Sequence, residues 1–138
     1  MIVEPGRYLV GDAGVIRTEV VQIVRRASDR HRRWVFLDVG LFNGLTETLD
    51  EAIRYRIQAP GDGSGTGAVV LAGPSCDSAD VLYETYQYQL PLDLQVGDHL
   101  EILGTGAYTC SYSSVGFNGF PPLTSYFLPA TAGAGLSS

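Results

Sequence analysis

Apolar residues in this chain come in short runs, and nearly every run is cut off by glycine or proline. With 17 glycines and 7 prolines in 138 residues, few windows are long enough for an amphipathic helix, whereas short stretches between turns suit strands. Val15 to Val24 is nearly continuous apolar and β-branched, which reads as a buried strand. Arg33 to Val39 reads as a second strand with Asp38 near its end, and Gly40 to Leu49 as a turn with a short helix. Ile53 to Ile57 alternates apolar and arginine or tyrosine positions, the pattern of a half-exposed strand. Pro60 to Gly67 is a surface loop, and its glycines open no helix that could cradle a phosphate. Ala68 to Ala72 and His99 to Leu103 are short strands, and the tyrosine-rich Val81 to Gln89 is strand or irregular. Gly104 to Pro122 is long and rich in glycine and aromatics, Ser125 to Leu128 is expected to close the fold, and the small polar tail is expected to fray. Before all of these, the segment up to Gly14 has room for one or two helical turns. Six or seven strands joined by tight turns predict a mainly-β fold, a small antiparallel barrel or sandwich with one or two short helices.

Composition narrows the function classes. An apolar content of 45% with 17% charged residues is that of one folded domain. No run approaches the roughly 20 apolar residues of a membrane span. Met1 to Arg7 brings a glutamate, a proline and an arginine where a secretory signal would be apolar, so the cytoplasm is the expected compartment. A net charge of −6 argues against nucleic acid, and the basic cluster Arg25 to Arg33, interrupted by Asp29, reads as a solvated loop. Two cysteines, Cys76 and Cys110, make a poor disulfide framework and are expected as free thiols, and no metal site is expected. All nine basic residues are arginines; the chain has no lysine. A reaction that needs a lysine nucleophile must take it from another polypeptide.

Several segments carry chemistry. Glu4-Pro5-Gly6-Arg7 sets a carboxylate and a guanidinium around a turn. Gly73-Pro74-Ser75-Cys76-Asp77-Ser78 puts a thiol beside a carboxylate on the loop after a strand. Gly104 to Thr109 leads a flexible backbone into the Tyr108 hydroxyl, and Phe117-Asn118-Gly119-Phe120 is an aromatic loop stiffened by the two prolines after it. Together with Asp38 and Gly97-Asp98, these follow the order found in the fold-type III pyridoxal-phosphate decarboxylases that act on ornithine, lysine, arginine or diaminopimelate. The chain resembles the C-terminal β-domain of those enzymes from its start to about Pro129.

The resemblance implies roles. Glu4 would hydrogen-bond the cofactor's pyridine nitrogen and keep it protonated. Gly6, Arg7 and Tyr108 would contact its phosphate, for which a permanently charged fork is suited. Cys76 would return a proton to the substrate carbon across a dimer interface; a thiol with an ordinary pKa of roughly 8.5 is mostly protonated at neutral pH. Asp77 and Asp38 would receive the distal ammonium of a diamino acid, with Phe117 and Asn118 as wall and rim. Aspartate at position 77 tilts the implied substrate toward ornithine or lysine, since relatives acting on diaminopimelate tend to carry glutamate there. From the residues alone, Glu4 reads as a turn carboxylate, Asp38 as a strand-end cap, Cys76 as a small buried hydrophobe and Tyr108 as an ordinary buried ring.

Family members also carry a TIM barrel that supplies the anchoring lysine, and the Glu4 to Arg7 motif normally ends that barrel. Residues 1–16 are therefore expected to be the remnant of the barrel's end, 17–129 the β-barrel domain, and 130–138 a disordered tail. Alone, the chain is expected to bind pyridoxal phosphate weakly or not at all and to lack the decarboxylase reaction. The expected partners are a second copy, a separate lysine-bearing barrel chain, or both, with a small cationic amino acid as substrate. The alternatives are a stand-alone assembly or regulatory domain, and a cofactor-independent enzyme using Cys76, Asp38 and Asp77 as acid and base.

Overall fold

The computed structural model describes residues 2–3, 5–61, 63 and 65–129, so the expected fraying of 130–138 lies outside the described residues. Gly6–Val10 forms a single-turn helix, α1, continued by a 3₁₀ turn over Gly11–Ala13. Six strands follow: β1 (Val15–Arg26), β2 (Asp29–Leu37), β3 (Arg56–Gln58), β4 (Thr66–Ala72), β5 (Val81–Pro91) and β6 (His99–Leu103). They make one sheet in the order β3-β6-β1-β2-β4-β5, curled into a half-barrel. The curl runs through β1, which pairs with β6 over Val15–Glu19 and with β2 from Val20 onward. A register shift just after Val20 marks a bulge, a device that bends and twists a strand. Among the described residues no helix is long and apolar enough to cross a membrane.

The mainly-β fold is as the sequence predicts, with local differences. The sheet is not wholly antiparallel, because β2 and β4 run parallel, pairing Arg33 with Val69 through Phe36 with Ala72. The long connection from Asp38 to Gly65 is what carries the chain back to start a parallel neighbour. Strand β1 is half-exposed rather than buried: Thr18 and Val20 point inward while Arg17 and Glu19 face out. The strand expected over Ile53 to Ile57 pairs only at Arg56–Gln58, since β6 offers partners to no more of it. Ser125 to Leu128 does not close the fold; Tyr126, Phe127 and Leu128 have no regular structure and lie almost fully in solvent.

Burial explains why β2 and β4 are so continuously apolar. Val35, Leu37, Val69 and Leu71 are buried in the main core with Val20, Leu82, Leu90, Leu100 and Ile102. The alternate residues Trp34, Val70 and Ala72 form a second cluster with Val24, Phe36 and Val81. Strands covered on both faces need apolar residues at every position. The basic cluster is not a loop either. Arg25 to Arg33 is the end of the β1–β2 hairpin, turning at Ala27-Ser28, and Arg33 is buried with its guanidinium donating to the carbonyls of Leu90, Pro91 and Leu92.

Strand β5 is an edge, and its exposed N–H groups invite pairing with another chain. Glu51 blocks part of that edge: its carboxylate accepts from the backbone N–H of Glu84, Thr85 and Tyr86 at 2.6 to 2.9 Å. Burial works to raise the Glu51 carboxyl, but the N–H groups of Thr85, Tyr86 and Glu84 outweigh it and hold the group below its ordinary value of 4.5. A carboxyl depressed in the folded state contributes stability above its ordinary value and loses it as the pH falls through the folded-state value. Glu51→Gln is expected to lower stability at neutral pH by at most about 1 kcal/mol, because the carboxylate stays partly in solvent. It should also flatten the stability loss below pH 4.5 and favour association through β5. Urea denaturation at neutral and acid pH, with light scattering, checks all three.

Candidate functional site

Two clusters of the sequence-predicted residues form on the structure. The first is built by glycines. The carbonyl of Gly11 accepts from Gly106 N–H at 2.8 Å and that of Gly14 from Thr105 N–H at 3.0 Å, so α1 and its 3₁₀ turn lie directly on the segment after β6. A Cβ on Gly106 would sit 1.8 Å from the Val10 carbonyl oxygen, and one on Gly14 would sit 2.3 Å from the Gly106 nitrogen. Only glycine at both positions permits this approach. The approach brings Tyr108 over Gly6, where a Cβ would meet the tyrosine oxygen at 2.4 Å. It also places the Arg7 guanidinium 5.6 Å from the centre of the Tyr108 ring and 6.0 Å from that of Tyr55. Arg7 donates from Nη2 to the Glu47 carboxylate. Glu4 lies outside the described residues. Gly106→Ala is expected to force α1 off this segment and cost about 1–3 kcal/mol. Loss of nuclear Overhauser contacts between Tyr108 and Gly6 checks it; retained contacts with unchanged stability would refute it.

The second cluster is organised by Asp80, a buried carboxylate immediately before β5. It accepts from Leu41 N–H at 2.7 Å, Ser75 N–H at 3.0 Å and the Ser75 hydroxyl at 2.6 Å. Gly40 and Gly73 leave room for it, since a Cβ on either would come within 2.3 Å of a carboxylate oxygen. Asp80 thereby ties the loop after β4, which carries Cys76 and Asp77, to the loop after β2, which follows Asp38. Cys76 is exposed and is a free thiol, as is Cys110; the core position that composition alone would allow Cys76 is not what it occupies. Asp77 accepts from Ala79 N–H at 2.9 Å and is half-buried. Asn118 donates from Nδ2 to the Ser75 carbonyl at 3.1 Å, and Phe117 stacks on Phe42 with ring centres 4.0 Å apart. The Phe117 to Phe120 loop is thus fastened to the cysteine loop on one side and to the Asp38 loop on the other. Asp38 itself caps the strand: its Oδ1 accepts from the Thr18 hydroxyl and from Glu19 N–H.

The Gly40 to Glu51 segment bridges the two clusters. Glu47 holds Arg7, the Thr46 hydroxyl is shared between the carbonyls of Leu41 and Tyr112, and Ser114 N–H donates to the Phe42 carbonyl. Sequence reasoning did not find Asp80, Glu47, Thr46 or Phe42 as site residues. The one local signal for Asp80 was a carboxylate set against the apolar start of a strand with no cation beside it. Among the described residues, non-glycine positions with positive φ are Asp50, Glu51, Cys76, Tyr108 and Asn118. Three of these five are predicted site residues, and such conformations persist only where surrounding contacts enforce them. A shallow cleft of about 490 Å³ lined by Arg17, Gln58, Asp98 and Glu101 involves neither cluster.

Residues 7–106 match the family model for the C-terminal sheet domain of pyridoxal-dependent decarboxylases. The chain is 32% identical over 117 residues to a lysine/ornithine decarboxylase of Selenomonas ruminantium, covering 85% of this chain and 28% of that protein. It is 32% identical over 112 residues to a diaminopimelate decarboxylase of Staphylococcus aureus, covering 81% of this chain and 26% of that one. Among solved structures, the lysine/ornithine decarboxylase of Vibrio vulnificus complexed with cadaverine superposes with a TM-score of 0.72 at 29% identity, covering 84% of this chain and 30% of that one. The chain therefore spans less than a third of the length of these relatives.

Proposed function

The chain belongs to the pyridoxal-dependent decarboxylases, as their C-terminal sheet domain, and from that we propose that it supplies one wall of a composite active site whose lysine lies on a barrel outside it. The observation that carries this reading is the convergence of Gly6, Arg7 and Tyr108 in one cluster and of Cys76, Asp77, Phe117 and Asn118 around another, in a chain with no lysine. Apolar surface supports a covering partner: α1 buries none of its residues, and Ile2, Val3, Tyr8 and Leu9 are 68 to 92% exposed.

The residues present fit pyridoxal phosphate. Arg7 offers donors beyond the one given to Glu47, Tyr108 sets its hydroxyl against Gly6 and its ring near the Arg7 guanidinium, and among the described residues the buried Tyr55 hydroxyl has no hydrogen-bond partner. When bound, the cofactor supplies an electron sink for the pair left behind as carbon dioxide departs. In this reading Glu4 keeps the pyridine nitrogen protonated, and Arg7 and Tyr108 hold the phosphate. The Cys76 thiol gives its proton to the carbon that lost carbon dioxide, reaching it from a second copy of the chain. Asp77 receives the distal ammonium of lysine or ornithine. Asp38 contributes through Oδ2, because Oδ1 is committed to Thr18 and Glu19. Phe117 walls the substrate's methylene chain and Asn118 lines its rim.

Mixing this chain with a lysine-bearing barrel chain and pyridoxal phosphate tests the proposal. Co-elution, with a change in the cofactor's absorbance that this chain alone does not produce, is the expected result. Separate elution with no absorbance change would overturn it.

A further inference from the structure

We infer that Glu47 is a positioning residue that holds the Arg7 guanidinium in the orientation needed to receive a phosphate. The inference rests on the reading of Arg7 as a phosphate contact and adds a residue to it. Arg7 sits on a single-turn helix with no buried residue, so its backbone contributes little to fixing a long side chain that has several rotatable bonds. What confines it comes from elsewhere in the chain. The rings of Tyr55 and Tyr108 lie near the guanidinium, and the Glu47 carboxylate accepts from Nη2. Among the described residues the Arg7 side chain makes no other hydrogen bond, which leaves Nη1 and Nε for an incoming anion.

Glu47 is itself a fixed acceptor. It lies in the turn Thr46–Glu51, held at one end by the Thr46 hydroxyl on the Leu41 and Tyr112 carbonyls and at the other by Glu51 on the β5 edge. Thr48, fully buried, closes the turn on the Leu45 carbonyl at 2.7 Å. A guanidinium held by such an acceptor presents its remaining donors in one geometry, so less freedom is lost when phosphate binds. The opposing effect is charge: a carboxylate beside the site repels a dianion. Were repulsion dominant, removing Glu47 would tighten phosphate binding; if positioning dominates, removal weakens it and glutamine, which keeps the acceptor without the charge, restores it.

The test uses the full chain, nitrogen-labelled, with two readouts on the Arg7 Nε–H resonance: its solvent exchange without ligand, and its shift on titration with inorganic phosphate. Glu47→Ala is expected to speed the exchange and to weaken phosphate binding about tenfold, with Glu47→Gln recovering most of both and the sheet amide spectrum unchanged in each. Unchanged exchange, or unchanged or tighter phosphate binding in Glu47→Ala, overturns the inference. Arg7→Met separates the two levels. If it leaves the protein's response to phosphate intact, or if wild-type Arg7 does not respond to phosphate at all, the reading of Arg7 as a phosphate contact falls, while the exchange readout still decides whether Glu47 holds Arg7.

Discussion

Replacing Asp80 with alanine is expected to lower folding stability by about 3–5 kcal/mol and to release the loop that carries Cys76. The carboxylate accepts from two backbone N–H groups and one hydroxyl, all buried, and alanine offers none of them a substitute. Its removal also empties the space that Gly40 and Gly73 leave for it, so Leu41 and Ser75 keep unpaired donors next to a cavity. Asp80→Asn keeps the shape and one acceptor oxygen but turns an N–H₂ toward donors, so it is expected to cost roughly half as much. Chemical denaturation gives the stability. Amide exchange at Leu41 and Ser75, faster in the alanine variant than at Val35 or Val69 in the main core, shows that the loop opens before the sheet. Equal exchange at all four would mean that Asp80 is an ordinary core contact and that the two loops are held in register by something else.

Cys76→Ala, in the assembly of this chain with a lysine-bearing barrel, is expected to slow amine product release by about a hundredfold to ten-thousandfold, the range lost with a positioned proton donor. The substitution should leave cofactor absorbance unchanged, because Cys76 lies in the Asp80 cluster and not among Gly6, Arg7 and Tyr108. It should also leave the fold intact: the thiol is exposed and its one hydrogen bond among the described residues is a weak 3.8 Å approach to the Pro74 carbonyl. Alanine keeps the side chain small at a residue with φ of +59°, so the backbone of the loop is not further strained. Cys76→Ser, a much weaker acid, should fall between the two. A Cys76→Ala assembly with undiminished product release would remove the thiol from the reaction.

The strands and the site were legible to different degrees, for physical reasons. Strands β1, β2, β4 and β6 were visible as β-branched and apolar runs, those of β2, β4 and β6 ending at or just before a glycine, a local property. Pairing partners were not, since the parallel contact of β2 with β4 depends on how a long connection travels and leaves no periodic trace in either strand. Arg33 looked like a solvated charge because its neighbours are basic; three carbonyls from residues 90–92 make it a buried one. Tyr126, Phe127 and Leu128 looked as if they close the fold because they are apolar, but they are 82 to 95% exposed. The motif residues Cys76, Tyr108 and Asn118 came into clusters, and each carries a strained backbone that sequence cannot display. Among the residues that hold the site in place, Asp80 reaches Leu41 and Glu47 reaches Arg7, each some 40 positions away. Such links exist only in the folded chain.

Catalysis, as proposed, is shared between this domain and a lysine on a barrel outside it. That sharing is tested most directly by carbon dioxide release from lysine and from ornithine, measured with pyridoxal phosphate and this chain, a lysine-bearing barrel chain, or both. The account predicts release only from the mixture. Release from this chain alone, or none from a mixture that demonstrably assembles, would contradict it.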